Sequence, residues 1–287
     1  MTAVPLLSGI AGTEAGEFVS TYPLNLEPVI VDSKISRGQL RAAPGAIQLG
    51  TGPGVDHGGI VWNGLLYRVM GTELVSIAAD GTVTDIGNVG AGARVAFDYS
   101  FDRLALAPNG LLYYYTPDDG LVQVTDENLG TVLDMIWIDG YFMTTDGTYI
   151  VVTELTDPTQ VKPLKYGSAE EDPDPITGLI KYRDEAYVIG RHTIQPFQNV
   201  GGNGFPFETN LGVTIPFGCV GPYAKCLFSD GFAFVGSGRN QGLNVYVAGQ
   251  TASAQPIGCR ELCDALDALG DPSVVEVEAR SDRSEWR

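Results

Sequence analysis

Residues 58–87 read GGIVWNGLLYRVMGTELVSIAADGTVTDIG, four short stretches of alternating apolar and polar residues separated by turns at Asn63-Gly64, Gly71-Thr72 and Asp80-Gly81. Asn-Gly accepts the positive φ angles that a tight two-residue turn demands, so NGLLYRVM (63–70) is the signature of a β-hairpin. The same opening recurs as NGLLYYYT at 109–116. Around it, residues 94–125 parse in the same way, with turns at Phe101-Asp102, Asn109-Gly110 and 118–120. The grammar continues through 132–167, 176–197 and 225–258.

Aligning the first turn of each unit (Asn63, Phe101, Asp139, Asp184 and Asp230) gives a unit length of about 38 to 46 residues. Four-strand repeats at this spacing are the sequence mark of a β-propeller, whose small sheets bury both faces against their neighbours. A β-sandwich also spaces short strands by turns, but gives no reason for five four-strand units in series. The expected fold is therefore all-β: a propeller of four-stranded blades, about five readable and the chain cut within a sixth, with an extended N-terminal arm. In this register Asn63 opens the first turn of its unit and Asn109 the second turn of the next, so the echo is one hairpin solution used twice.

Composition agrees. Of 287 residues, 44% are hydrophobic, with Gly (37), Pro (17), Tyr (13) and Phe (11) well represented. Helical periodicity is nearly absent, which favours a loop-rich, all-β chain. No stretch approaches the roughly 18 consecutive apolar residues of a membrane span, and MTAVPLLSGIAG carries no basic residue ahead of its apolar part. A soluble protein, not exported through a signal peptide and not inserted in a membrane, is expected. The net charge of −18 disfavours binding of free nucleic acid, which rests on Lys and Arg neutralising phosphates.

Two segments fall outside the repeat. Residues 1–57 are punctuated by Pro and Gly without a strong period and read as an extended docking arm. Residues 198–224 read as a loop insertion in the propeller that spans 58–258. The last part, 259–287, reads as an amphipathic helix (259–270), a first strand over 274–279, a turn at Ser281-Asp282 and the opening of a second strand. A sheet cut there leaves an unpaired edge, so the expectation is that the natural chain continues or another chain supplies the missing strands.

No catalytic, cofactor or metal site emerges. His57 and His192 are the two histidines, nothing in the sequence brings them together, and no GxSxG elbow occurs. The acidic groups Asp118/Asp119, Asp126/Glu127 and 170–174 lack a calcium-loop pattern and read as solvated turn acids. SIAADGTVT (76–84) and TTDGTYI (144–150) share Asp-Gly-Thr with the Asp-box turns of sialidase propellers, yet lack the following Trp and any arginine cluster. The four cysteines at 219, 226, 259 and 263 do not have zinc-site spacing and read as idle thiols. Tyr113, Tyr114 and Tyr115 offer stacking surfaces, but alternation sends Tyr114 to the opposite face from its neighbours, so packing is the expected role.

The order of several motifs carries a resemblance. VPLLSGIAG (4–12), YPLNL (22–26), SRGQLRAAPG (36–45), VWNGLLYRVMGTEL (61–74), GARVAFDYS (92–100), APNGLLYYY (107–115) and GPYAKCLFSDGFAFVGSG (221–238) together resemble the packaged-DNA stabilisation proteins of P22-like short-tailed bacteriophages, also called tail accessory factors or tail hubs. The resemblance implies a virion tail component, assembled in the host bacterial cytoplasm, with no enzymatic activity and no cofactor. Its implied partners are further copies of itself in a ring, a hexamer in the family, together with the portal adaptor, tailspikes, a tail needle or plug, and DNA that passes without specific binding. Tyr22, Pro23, Asn25, Gly38, Leu40, Arg41, Pro44 and Gly45 are the matching positions expected to serve structure or interfaces. With this role, the acidity predicts a ring lumen rich in Asp and Glu that offers passing DNA no phosphate-binding stations. The alternative is a glycan-binding or glycan-hydrolysing propeller, which needs carboxylates converging with arginines or aromatics at the channel mouth.

Overall fold

The computed structural model describes residues 45, 47–90, 92–169, 174–210, 212–249 and 253–279, together with strand backbone at 10–12, 18–20, 26–29, 39–42, 281–282 and 285–286. Contacts divide the chain into two compact units, Met1–Leu49 and Gly50–Arg287. In the first, β1 (Ile10–Gly12) pairs with β2 (Phe18–Ser20) and β3 (Leu26–Val29) with β4 (Gln39–Ala42), both antiparallel. The N-terminal segment, read in the sequence as an extended docking arm, thus contains two antiparallel strand pairs. Residues 50–57 belong to the second unit, where the Gly71 amide donates to the Val55 carbonyl at 2.7 Å.

The second unit is a β-propeller. Blade 1 contains β5 (Asp56–Trp62), β6 (Leu65–Met70), β7 (Glu73–Ile77) and β8 (Val83–Asn88). Blade 2 contains β9 (Ala96–Tyr99), β10 (Leu104–Ala107), β11 (Tyr113–Thr116) and β12 (Gly120–Gln123). Blade 3 is built from β13 (Asp134–Ile138), β14 (Tyr141–Thr145), β15 (Ile150–Val152) and β16 (Tyr166–Gly167). Blade 4 follows with β17 (Ile176–Tyr182), β18 (Glu185–Gly190), β19 (Ile194–Asn199) and β20 (Phe207–Thr209). In blade 5, β21 (Gly218–Cys219) and β22 (Lys225–Phe228) both pair with β23 (Gly231–Ser237), which is followed by β24 (Asn244–Ala248) and β25 (Gln255–Pro256). The inner strand of blade 5 is therefore one strand interrupted at 220–224. First strands are neighbours in the order β5, β9, β13, β17, β22, which is the inner wall of the propeller.

Period-two alternation decides which neighbour each side chain meets. All four residues of β10, LALA, are buried, but Leu104 and Leu106 pack with Trp62 and Tyr67 of blade 1, whereas Ala105 and Ala107 pack with Met135 and Phe142 of blade 3. The tyrosine run obeys the same rule. Tyr114 is 3% exposed against Phe142, while Tyr113 and Tyr115 turn back to the blade 1 side. Polar tips of buried and half-buried aromatics stitch blades together: Trp62 Nε1 donates to the Ser100 carbonyl (3.2 Å), Tyr114 Oη to the Pro158 carbonyl (3.0 Å) and Tyr182 Oη to the Asp230 carbonyl (2.5 Å).

The turns explain the repeated NGLL and correct its reading. Asn63 and Gly64 have φ of 49° and 78° in a two-residue hairpin, since Trp62 pairs with Leu65. Asn109 and Gly110 adopt the same signs, 53° and 77°, but inside a longer connection from β10 to β11, and the strand begins at Tyr113. In blades 4 and 5 the first-turn position is held by Arg183 (φ 55°) and Ser229 (φ 51°), because Tyr182 pairs with Glu185 and Phe228 with Gly231. Aligning on Asp184 and Asp230 is thus one residue out of step, and a slip of one exchanges the two faces of a strand.

Within 198–224, residues 207–209 form the outer strand of blade 4 and 218–219 begin blade 5. The segment is held because Phe205 and Phe207 pack into the core between blades 3 and 4 and Phe217 against Tyr246.

After blade 5, helix α1 (Arg260–Asp267) buries Leu266 against that blade. Residues 275–279 then run beside β22. The Val277 amide donates to the Tyr223 carbonyl (3.0 Å) and the Ala279 amide to the Cys226 thiol, so the two segments run parallel, as successive inner strands do. On the other side Arg94 grips Glu276 (2.8 Å) and Glu278 (3.3 Å), and its carbonyl accepts from Tyr223 Oη (2.7 Å). These contacts tie blade 5 to the start of blade 2 and close the circle. Ser281 and Asp282 fall within β26 (Ser281–Asp282), paired with β27 (Glu285–Trp286), not in a turn as the sequence suggested; the connection, 283–284, lies outside the described residues. Among the described residues no helix is long and apolar enough to cross a membrane.

Candidate functional site

The inner strands of blades 2 to 5 enclose an axial cavity of about 440 Å³. Its chemistry comes from both ends of these strands: Asp98 and Tyr99 on β9, Trp137 on β13, Lys181 on β17 and Leu227 on β22 lie near the first turns, whereas Asp134 and Lys225 open β13 and β22.

Two carboxylates act as inter-blade struts. Asp98 Oδ2 accepts the Trp137 amide, joining blade 2 to blade 3, and its other oxygen accepts the Tyr99 amide at 2.8 Å. Asp134 Oδ2 accepts the Leu179 amide of blade 4 and the Lys225 ammonium of blade 5, each at 2.7 Å. Lys225 also donates to the Pro222 carbonyl. The strand passes close here because residue 178 is glycine: a Cβ at this position would stand 2.9 Å from both Asp134 Oδ2 and Lys225 Nζ. Burial pushes Asp98 up to about 6, reinforced by the neighbouring Asp134 charge and opposed by the two amide hydrogen bonds and Lys181.

The rim is aromatic. Lys181 Nζ sits 5.0 Å from the Trp137 ring centroid, and the Phe101 ring, whose residue is 84% exposed, meets Trp137 edge-on at 6.2 Å. Tyr99 is 43% exposed and Leu227 56%. Carboxylates pinned by main-chain amides are built to hold position. The arrangement presents hydrogen-bonding groups and apolar walls, with no nucleophile poised beside a base.

The residues singled out in the sequence lie elsewhere. Tyr22, Pro23, Asn25, Gly38 and Pro44 are outside the described residues; Leu40 and Arg41 belong to β4, and Gly45 is exposed. His57 lies in β5, where its carbonyl accepts the Val95 amide, and His192 in the turn after β18, where its amide donates to Asp174. Asp80, Asp126 and Asp146 accept the amides of Thr82, Asn128 and Thr148, so these acids cap their own turns. Of the 170–174 loop only Asp174 is described. Cys219 is buried, with its thiol donating to the Gly221 and Ala224 carbonyls. Among the described residues no group of three or more His, Cys, Asp or Glu side chains could hold a metal.

Comparison with known proteins adds identity to this geometry. The chain is 26% identical over 275 residues to the tail hub protein gp10 of Salmonella phage P22, an alignment covering 88% of this chain and 56% of that protein, so the chain spans little more than half of its relative's length. Two crystal structures of the extracellular domain of BT4673 from B. thetaiotaomicron superpose with a TM-score of 0.50 at 12% and 13% identity, covering 79% of this chain and 30% of theirs; this likeness concerns the fold alone. The family model described as Bacteriophage P22 Gp10, β-propeller, matches residues 2–287. With its four-stranded blades and a match along the whole chain, the protein belongs to the phage stabilisation family of P22 Gp10 β-propellers.

Proposed function

We propose that this chain works in a structural tail hub of a short-tailed phage virion, extending the DNA exit channel, retaining packaged DNA and acting by assembly without catalysis. The observation that carries this reading is the family match over 2–287, supported by the 26% identity to a tail hub protein. The axial carboxylates favour a structural role, because each is committed to amides of a neighbouring blade.

On this reading the hub is a ring, a hexamer as the resemblance implies, contacting a portal adaptor, tailspikes and a tail needle or plug. It resides in the virion tail after assembly in the host cytoplasm. The N-terminal segment 1–57, with its matching positions Tyr22 to Gly45, and the connection within 198–224 are the proposed contacts to the adaptor and to neighbouring copies. Residues 259–287 begin a further blade, a reading supported by the parallel course of 275–279 beside β22. The net charge of −18 suits a lumen that lets DNA pass without being held.

Peptide-mapping mass spectrometry of purified virions tests the proposal. Peptides of this chain alongside portal and capsid proteins are expected, and absence from well-covered virions overturns it. Native mass spectrometry of the chain with the adaptor tests the ring.

A further inference from the structure

We propose that the axial cavity is a binding site for a neutral saccharide. A glycan site needs carboxylates and aromatics that converge at a channel mouth. The sequence did not display that convergence; the propeller creates it from blades 2 and 3, which supply the carboxylates and aromatics, with lysines from blades 4 and 5.

Three features select the ligand class. The cavity, at about 440 Å³, falls in the range of roughly 300 to 1,000 Å³ typical of small-ligand sites. Its rim holds donors that make no hydrogen bond among the described residues: the Lys181 ammonium lies over the Trp137 ring and within electrostatic reach of Asp98, and the Trp137 indole N–H and the Tyr99 hydroxyl have no hydrogen-bond partner there. The charged lining is balanced, two carboxylates (Asp98, Asp134) against two ammoniums (Lys181, Lys225). A hexopyranose matches all three. Its apolar face stacks on aromatic walls, here Tyr99 and Trp137, and its hydroxyls both donate and accept, so they can use ammonium and carboxylate alike. The overall charge of −18 works against an anionic glycan, and the balanced lining offers a cationic one no net attraction.

The outer cavity of about 390 Å³ beside Tyr149 and Tyr166 is a useful contrast. It too has aromatic walls, but its charged groups are committed: Asp146 accepts the Thr148 and Tyr149 amides, Lys162 donates to Glu154, and Lys165 pairs with the same carboxylate. In the axial cavity Asp98, Asp134 and Lys225 are committed in the same way, while Lys181, the Trp137 indole N–H and the Tyr99 hydroxyl make no hydrogen bond among the described residues.

The test is saturation-transfer NMR on this chain with the methyl glycosides of glucose, galactose, mannose and N-acetylglucosamine, and methyl glucuronide as the anionic control. Saturable transfer from at least one neutral glycoside is expected, with weaker transfer from the glucuronide. Trp137→Ala removes the stacking wall and is expected to weaken binding about tenfold or more. Because that variant can unfold, Lys181→Met is made in parallel and checked by its thermal midpoint; it keeps the aromatic wall and loses the free ammonium, and a several-fold loss is expected. No transfer from any neutral glycoside overturns the proposal. So does binding unchanged in both variants, and a preference for the glucuronide overturns the neutral assignment. The tail hub reading is untouched by any of these results, since it rests on virion content.

Discussion

Asp134 of blade 3 and Lys225 of blade 5 form an ion pair at 2.7 Å although 91 residues of chain separate them. Their side chains are only 8% and 9% exposed. Removing one partner of such a pair leaves a buried charge without its counterion, which typically costs about 3–5 kcal/mol. Lys225→Met is therefore expected to lower the unfolding free energy by roughly 3 kcal/mol, and Asp134→Asn in the same chain to recover much of the loss. Urea denaturation of the two variants measures this. A single variant as stable as the parent would mean that the pair contributes nothing to holding blades 3, 4 and 5 in place.

Gly178 offers a second way to disturb the same pair without touching a charge. Its missing side chain leaves room for Asp134 Oδ2 and Lys225 Nζ, both 2.9 Å from where a Cβ would sit. Gly178→Ala is expected to destabilise by about 1–3 kcal/mol, against the small gain that alanine usually brings by restricting the unfolded chain. Combined with Lys225→Met, the two losses should fall short of additive, because the first substitution already displaces what the second removes. Full additivity in denaturant unfolding would rule out the shared mechanism.

The blades were legible because their chemistry is local. Asn63-Gly64 announces a turn, and alternation in YYYT sends Tyr114 to the opposite face from Tyr113 and Tyr115, as found. The axial site was not legible, and the reason is a register. Aligning the first turns places Val61, Tyr99 and Trp137 in one column, but taking Asp184 and Asp230 as turn starts adds Tyr182 and Phe228 to it. The pairing of Tyr182 with Glu185 and of Phe228 with Gly231 makes Lys181 and Leu227 the true members. A positive φ at Arg183 or Ser229 is something that Asn-Gly advertises and Arg-Asp or Ser-Asp does not. The Asp134–Lys225 pair had no local signal, since its partners meet only once the propeller has formed.

Arg94 clasps the segment that closes the circle. Its guanidinium meets Glu276 at 2.8 Å and Glu278 at 3.3 Å, but the carboxylates are 44% and 76% exposed, so each contact is weak. Arg94→Ala is expected to cost about 1 kcal/mol globally. The local effect should be larger. Amide hydrogen exchange across 275–279 is expected to quicken, while that of β14 and β18, deep in blades 3 and 4, stays unchanged. Uniform acceleration throughout the propeller would instead mean that closure at Arg94 is coupled to the whole fold.

Asp98 gives the protein a pH dependence of unusual sign for an aspartate. Burial raises its folded-state value from 3.8 to about 6, so the folded protein holds this proton more tightly than the unfolded chain. Between these two values the folded state binds more protons, and stability must fall as pH rises. The contribution is therefore fully present below 3.8 and lost once the pH passes 6. A shift of about two units corresponds to at most roughly 3 kcal/mol. Asp98→Asn keeps an oxygen to accept the Trp137 amide and cannot ionise. Relative to the parent, it is expected to gain stability progressively from pH 4 to pH 7. Subtracting the two unfolding curves removes the other carboxylates, which titrate alike in both proteins. A difference that shifts toward the parent as pH rises would show that the Asp98 carboxylate is stabilised as the anion by the amides of Tyr99 and Trp137 more than burial penalises it, and a flat one that the two effects cancel.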